Sequence, residues 1–391
     1  TVTVEAAKGY FINTTSNACT ITLPSSAEAG DQIILVDYAR TWGTNAITID
    51  SNGLNFQGED DSYTVDYDTA GQSLNLVYSD ATTGWTPSSD IVNALEPVAP
   101  VTQKGLFAFG FTGSNVSISN LLNSSGVIAT DTTGVGTARR TLAAAEYGGD
   151  KAIFGYGWTS SAQSMSNLVS NVGVVATDTT GVGTARRELG ASNYGIDKAL
   201  FAFGYTQAGD IVSLKNLVSN SGVIAADVTG VGTARQSMGA APYGSTGQAI
   251  FAFGTVGDTK QNISNLISNT GVVASDTTGV GTARGKLAAV KYGTGLALVA
   301  YGLAASGRVT TRNLINSSGV VASDASGAGT ARLDLAASSY GGDKGAFAYG
   351  DDGSKVSTKN LVNNVGVVAA DVTGVGSVRR ELAAAGYSYS A

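Results

Sequence analysis

Six copies of one seven-residue element constrain this chain more than anything else in it. T-G-V-G-T-A-R, with the variants S-G-A-G-T-A-R and T-G-V-G-S-V-R, ends at Arg139, Arg186, Arg235, Arg284, Arg332 and Arg379, at spacings of 47, 49, 49, 48 and 47 residues. An aspartate stands eight residues before each arginine (Asp131, Asp178, Asp227, Asp276, Asp324, Asp371), and a tyrosine eight after it (Tyr147, Tyr194, Tyr243, Tyr292, Tyr340, Tyr387). A fixed period of this length means one supersecondary unit, repeated, whose apolar faces are buried against its neighbours.

Each unit reads as four strands. A small-residue strand follows the arginine, as in 188–194 (ELGASNY). After a turn comes a continuous apolar run, as in 199–204 (ALFAFG), which must be buried on both faces. A third strand carries an Asn-Leu pair, as in 213–219 (SLKNLVS), and a fourth is expected at 222–227 (GVIAAD). No amphipathic 3.6-residue pattern supports helical repeats, so the expected architecture is a β-propeller with Ala- and Gly-rich strands at its crowded centre. The repeat region opens on a second strand, 104–110 (KGLFAFG), and closes on a first strand, 381–389. The count balances at six blades only if the C-terminal strand completes the first blade, which also removes a free edge.

An arginine, an Ala-rich strand, an apolar strand ending in glycine and an N-L-V-like strand resemble the kelch repeat over residues 104–391. Two features depart from it: the double glycine is mostly single (Gly157, Gly204, Gly254), and the late tryptophan is missing.

Residues 1–88 follow another pattern. Alternating segments at 20–23, 32–37, 46–50, 63–66 and 74–78 are separated by turn residues and predict a small β-sandwich or barrel. Residues 89–103, flanked by Pro87, Pro97 and Pro100, read as a linker with one helical turn at 91–95. The string Y-F-I-N-T-T-S…T-I-T-L-P…A-G-D…V-D-Y-A…T-N-A-I-T-I…L-V-Y…D-A-T-T-G-W, from Tyr10 to Trp85, resembles a module of bacteriophage tail-fibre and other virion proteins. The resemblance implies a virion or extracellular setting and a domain that attaches or assembles the chain.

The charge is uneven. Residues 1–100 hold two basic and thirteen acidic residues (−11), the remainder 21 basic and 17 acidic (+4), for a net −7. This predicts electrostatic contact between neighbouring chains, with Thr1–Val4 (TVTV) adding a strand to a neighbour's sheet, and it opposes nucleic-acid binding by the N-terminal part. No run of about 18 apolar residues exists to cross a membrane, so no membrane insertion is expected. No signal peptide is visible, and a chain starting at Thr1 implies a removed leader or further chain upstream. One cysteine, Cys19, excludes an internal disulfide framework. With no histidine there is no Ser-His-Asp or Cys-His chemistry and no His metal site. The Asp-box of propeller sialidases is absent too. No catalytic residue, metal or cofactor is expected.

Four groups are weighed as candidates for binding. The G-V-G triplets, five copies and one G-A-G variant, read as tight turns, since no helix follows to cradle a phosphate. The arginines, Arg139, Arg186, Arg235, Arg284, Arg332 and Arg379, are expected to ring one mouth of the central channel. There they either pair structurally with the preceding Asp or strand-end carbonyls, or bind a sialate, uronate or phosphate of a surface glycan. The loops between second and third strands vary most, and Trp158 and Tyr205 on them are placed either to stack on a sugar or to pack their own loops. The cluster Glu59, Asp60, Asp61, Asp66 and Asp68 reads as a solvated face. The expected function is therefore a non-enzymatic structural and glycan-binding component of a phage or phage-like fibre, partnered with itself. A self-assembling extracellular filament subunit is the alternative, and a glycan hydrolase the third reading.

Overall fold

The structure is a computed structural model that describes residues 1–89 and 103–387. Those residues are all-β, with no helix among them. The chain divides into two compact units, residues 1–98 and 99–391. The predicted linker at 89–103, its helical turn and the chain beyond Tyr387 lie almost wholly outside the described residues.

In the first unit, strands alternate between two sheets. One sheet orders β1 (Val2–Thr3), β3 (Cys19–Thr22), β5 (Ile47–Asp50) and β6 (Val65–Tyr67); the other orders β2 (Lys8–Ile12), β4 (Gln32–Asp37), β7 (Ser73–Tyr78) and β8 (Trp85–Pro87). Because early strands switch sheets, sheet neighbours are not chain neighbours, and β1–β3, β3–β5 and β2–β4 pair in parallel. Period-two alternation in β4 sends Ile33 and Leu35 inward, where they join Ile21, Ile49, Trp42 and Trp85 in one core. The same alternation sends Ile34, Val36 and Tyr38 outward. The Thr1–Val4 segment is used within its own chain, where Val2 pairs with Ile21 and Thr3 with Thr22. Its alternating residues fit the domain's own core, where Val4 is buried, and the strand stands at the edge of its sheet.

The second unit repeats one sheet six times among the described residues. Gly190–Tyr194, Lys198–Ala202 and Lys215–Val218 form one such antiparallel sheet. The middle strand is buried throughout, as its two-sided apolar run requires. The expected fourth strand, 222–227, is not a strand. It is an extended segment tied to the third by two bridges, Val218↔Ile224 and Lys215↔Val228. The physical reason is Asn216, whose side-chain Nδ2 donates to the Ala225 carbonyl and to Asp227 in place of part of a backbone ladder.

The C-terminal strand Ala383–Tyr387 pairs antiparallel with Lys104–Phe111, at the opening of the same unit. Six apolar cores lie between neighbouring sheets, and one of them joins Ala346 and Tyr349 of the last repeat to Phe107 and Leu122 of the first. Each Ala-rich strand packs against the next, and Ala383–Tyr387 packs against Ala143–Tyr147.

Candidate functional site

Arg186 shows what the conserved register of the repeat builds. Its side chain is 0% exposed. Nε donates to the Phe203 carbonyl (2.9 Å), Nη1 to the Thr184 carbonyl (3.1 Å) and Nη2 to Asn216 Oδ1 (2.6 Å). The guanidinium lies 4.4 Å from the ring centroid of Tyr156 in the preceding sheet and 3.7 Å from Asp227 Oδ1. Asp227 in turn accepts from the Thr184 N–H (2.9 Å) and hydroxyl (2.6 Å). Gly183 makes this possible: at φ +76° a Cβ would sit 2.4 Å from Asp227 Oδ1. Burial pushes the Asp227 carboxyl up, but hydrogen bonds from Thr184 and Asn216 outweigh it and hold it below the ordinary carboxylate range.

All six arginines are fully buried and each is stacked on an aromatic ring of the preceding sheet, Phe109, Tyr156, Phe203, Phe253, Tyr301 and Tyr349, and four of them, Arg186, Arg284, Arg332 and Arg379, donate to an Asn oxygen as well. Burial lowers Arg139, Arg235 and Arg284 to about 10. Two expectations are corrected here. The acidic partner is not the aspartate eight residues earlier but that of an adjoining repeat, Asp178 for Arg139 and, from the last repeat back to the first, Asp131 for Arg379. Nor do the arginines line an open mouth. Ring faces, carbonyls and an Asn amide enclose them, and no ligand reaches them without unpacking the unit.

Accessible chemistry lies one residue on. The residue after each buried arginine pairs with the residue after the glycine ending the middle strand: Arg380 with Phe111, Arg140 with Trp158, Arg187 with Tyr205, Gln236 with Thr255, Gly285 with Leu303, and Leu333 with Asp351. Three consecutive repeats thus carry an arginine and an aromatic ring, while the other three carry neither together. Arg140 lies 4.5 Å from the Phe111 centroid. Arg187 lies between two rings, 4.1 Å from the Trp158 centroid and 5.0 Å from that of Tyr205. The two predicted aromatics are therefore brought together, half-buried, with an arginine between them. Sequence reasoning missed Arg140, Arg187 and Arg380. The available signal was a break in the repeat at a single register position.

The next register position forms a ring. Thr141, Glu188, Ser237, Lys286, Asp334 and Glu381 all have positive φ, from 50° to 59°. Each N–H donates to the carbonyl of the previous repeat's counterpart at 2.8–3.0 Å, and Thr141 N–H donates to Glu381, so the six bonds run in a cycle. Glu188, Lys286, Asp334 and Glu381 make this ring acidic on balance, with Lys286 Nζ 3.3 Å from Asp334.

At the tyrosine ends of the Ala-rich strands lies a concavity of about 860 Å³, lined by turns that include Gly148, Asp150, Ser245 and Thr294, and by Glu146 and Lys291. Ile196 stands at its edge, 70% exposed and at φ +76°.

Asp60, Asp61, Asp66 and Asp68 of the acidic cluster are exposed, and Asp60 accepts from the Ser62 N–H (3.0 Å). No group of His, Cys, Asp and Glu arranged to hold a metal ion occurs among the described residues. No known protein family matches the chain, and no curated protein matches it.

Proposed function

We propose that the second unit is a six-bladed, kelch-like β-propeller closed by its C-terminal strand, that the first is a small β-sandwich, and that the chain is a non-enzymatic, glycan-binding structural protein of a virion or extracellular fibre. The cyclic hydrogen bonds, the six inter-sheet cores and the pairing of Ala383–Tyr387 with Lys104–Phe111 support the propeller. The resemblance of residues 10–85 to virion modules supports the setting. One observation carries the binding role: in a unit otherwise sixfold, the loop end is broken into an arc of Arg380, Phe111, Arg140, Trp158, Arg187 and Tyr205. Packing favours the repeat, so a local departure from it that costs symmetry marks recognition on a rigid frame.

A self-assembling filament subunit is the second reading, favoured by an exposed apolar row on the first unit: Phe11 (74%), Tyr38 (65%) and Ile34 (45%). Electron microscopy of the purified chain, with a glycan array in parallel, separates the two. Discrete particles that bind glycan support the first reading. Filaments that bind no glycan support the second and overturn the first.

A further inference from the structure

The arc contains three arginines, and their surroundings differ. Arg380 is held 2.6 Å from Asp351 and 3.3 Å from Glu381. Arg140 sits 3.2 Å from Glu381. Both charges are thus met by acids of the protein itself. Arg187 has no acidic partner within ion-pair distance among the described residues. Its Nε is buried without a hydrogen-bond partner, and no described residue accepts from either Nη. The rings of Trp158 and Tyr205 lie 4.1 and 5.0 Å from its guanidinium and hold it in place, which leaves its two Nη groups to meet a ligand. A stacked guanidinium loses little further freedom on binding, and two parallel N–H groups on one edge match a carboxylate.

The two adjoining loops carry mostly neutral polar groups, with Asp210 the one acid on the second of them. Thr159, Ser161, Gln163 and Gln207 lie on the two adjoining loops. Gln163 Nε2 donates to Thr159 Oγ1 (2.9 Å) and Ser161 Oγ (3.0 Å), and Gln207 Oε1 accepts from the Ala162 N–H (2.8 Å). Such a rim suits hydroxyl-rich ligands. It does not suit single-stranded nucleic acid, which needs several unpaired cations along a backbone and free aromatic faces for its bases. Here one cation is unpaired within the arc and it occupies the ring faces itself.

We infer that the Trp158–Arg187–Tyr205 clamp is a carboxylate-binding site for an acidic sugar, with Arg187 as the bidentate anchor and the Thr159–Gln163 and Gln207 loops meeting the sugar hydroxyls. This rests on the glycan-binding reading above and names its ligand class. The buried arginines take no part.

The test titrates the full chain with short oligogalacturonates, their methyl esters, sialyllactose and single-stranded DNA. The methyl ester keeps the sugar and removes the charge. Binding of oligogalacturonate or of sialyllactose is expected, and which of the two binds identifies the source of the carboxylate. Esterification and Arg187→Gln should each weaken that binding at least tenfold. Arg187→Lys should fall between the wild type and Arg187→Gln, because charge without the planar fork restores only part of the contact. The melting temperatures of both variants should stay near that of the wild type. The inference is overturned if Arg187→Gln binds the acidic sugar as the wild type does, if the ester binds equally well, or if DNA binds in an Arg187-dependent way and the sugars do not. Binding of neutral glycans that ignores Arg187 overturns this site and leaves the glycan-binding reading standing. Absence of binding to every glycan overturns both.

Discussion

A buried guanidinium is costly unless every donor is met, and Arg186 meets that condition with two carbonyls, an Asn oxygen, a carboxylate 3.7 Å away and a tyrosine face. Removing it leaves Asn216 and Asp227 without their cation. Arg186→Ala should therefore cost about 3–5 kcal/mol, read as a large fall in melting temperature, whereas Arg187→Ala next to it should cost far less. Equal melting of the two variants would sink this account. The sequence showed that Arg and Asp recur together but pointed to the wrong pairs. Eight extended residues can span roughly 26 Å, so the connection from Asp131 to Arg139 carries the two apart, and the chain returns Asp178 instead. A second residue-scale prediction concerns Asp334. Burial pushes its carboxyl up to about 6, against the pull of Lys286 and with further upward push from Glu381 and Glu188. Its folded value thus exceeds the unfolded one of about 3.9, so the folded state holds the extra proton between about pH 4 and 6 and this group's contribution to stability falls as pH rises through that window. The aspartates beside the buried arginines have the opposite sign: they are held low, and their contribution is lost as pH falls below the ordinary carboxylate range. Asp334→Asn removes only the first effect. The melting-temperature difference, wild type minus variant, should shrink from about pH 4 to 6 and stay level above about pH 7; a difference that is flat across the series would rule it out.

Strands that bury both faces were legible, since a run such as 199–204 has no polar residue to place in solvent, and Lys198–Ala202 is indeed a middle strand. The outer segment was not legible as it stands. Its residues alternate as a strand does, Val223 exposed and Ile224 buried, but backbone pairing depends on what Asn216 does across the gap, and spacing carries no trace of that. The parallel pairs of the first unit were hidden for a related reason, because consecutive segments in the chain go to different sheets. The turns at the tyrosine ends yield a prediction at this scale. The turn after Tyr194 holds Ile196 at φ +76°, where the equivalent turns carry Gly149 at +79° and Gly342 at +81°. A β-branched residue in the left-handed region costs about 1–3 kcal/mol, and Ile196 is too exposed to recover much of that by packing. Ile196→Gly should consequently stabilise the chain by about 1 kcal/mol, less than the full strain because glycine is freer in the unfolded state. Thermal or chemical unfolding reads this directly. A loss of stability would show that Ile196 packs on something its exposure does not reveal.

At the scale of the molecule, the two ends of the second unit are held together by contacts of several kinds at once. Ala383–Tyr387 completes the sheet of Lys104–Phe111. Arg379 donates to the carbonyls of Phe109 and Phe107 and to Asn120, and Asp131 accepts from Ser377. Glu381 supplies both a carbonyl and an N–H to the six-membered cycle. The contacts of Arg379 and Ser377 join residues 246 or more positions apart, so the unfolded chain gains much freedom when they break, and local propensity cannot restore them. Truncation after Arg380 removes the strand and one member of the cycle while leaving Arg379 in place. It strips cover from Leu106 and Ala108, which pack in one core with Ala383 and Ala385, and leaves a free edge on the sheet. The truncated chain should melt about 10 °C or more below the full one and aggregate on warming. A peptide spanning residues 381–391, added in excess, should recover part of the lost stability, because the missing piece is one strand with a place prepared for it, and a peptide of the same composition in scrambled order should not. Truncated protein that melts with the full chain, or rescue equal for both peptides, would mean that the ends of the unit are not held by this strand.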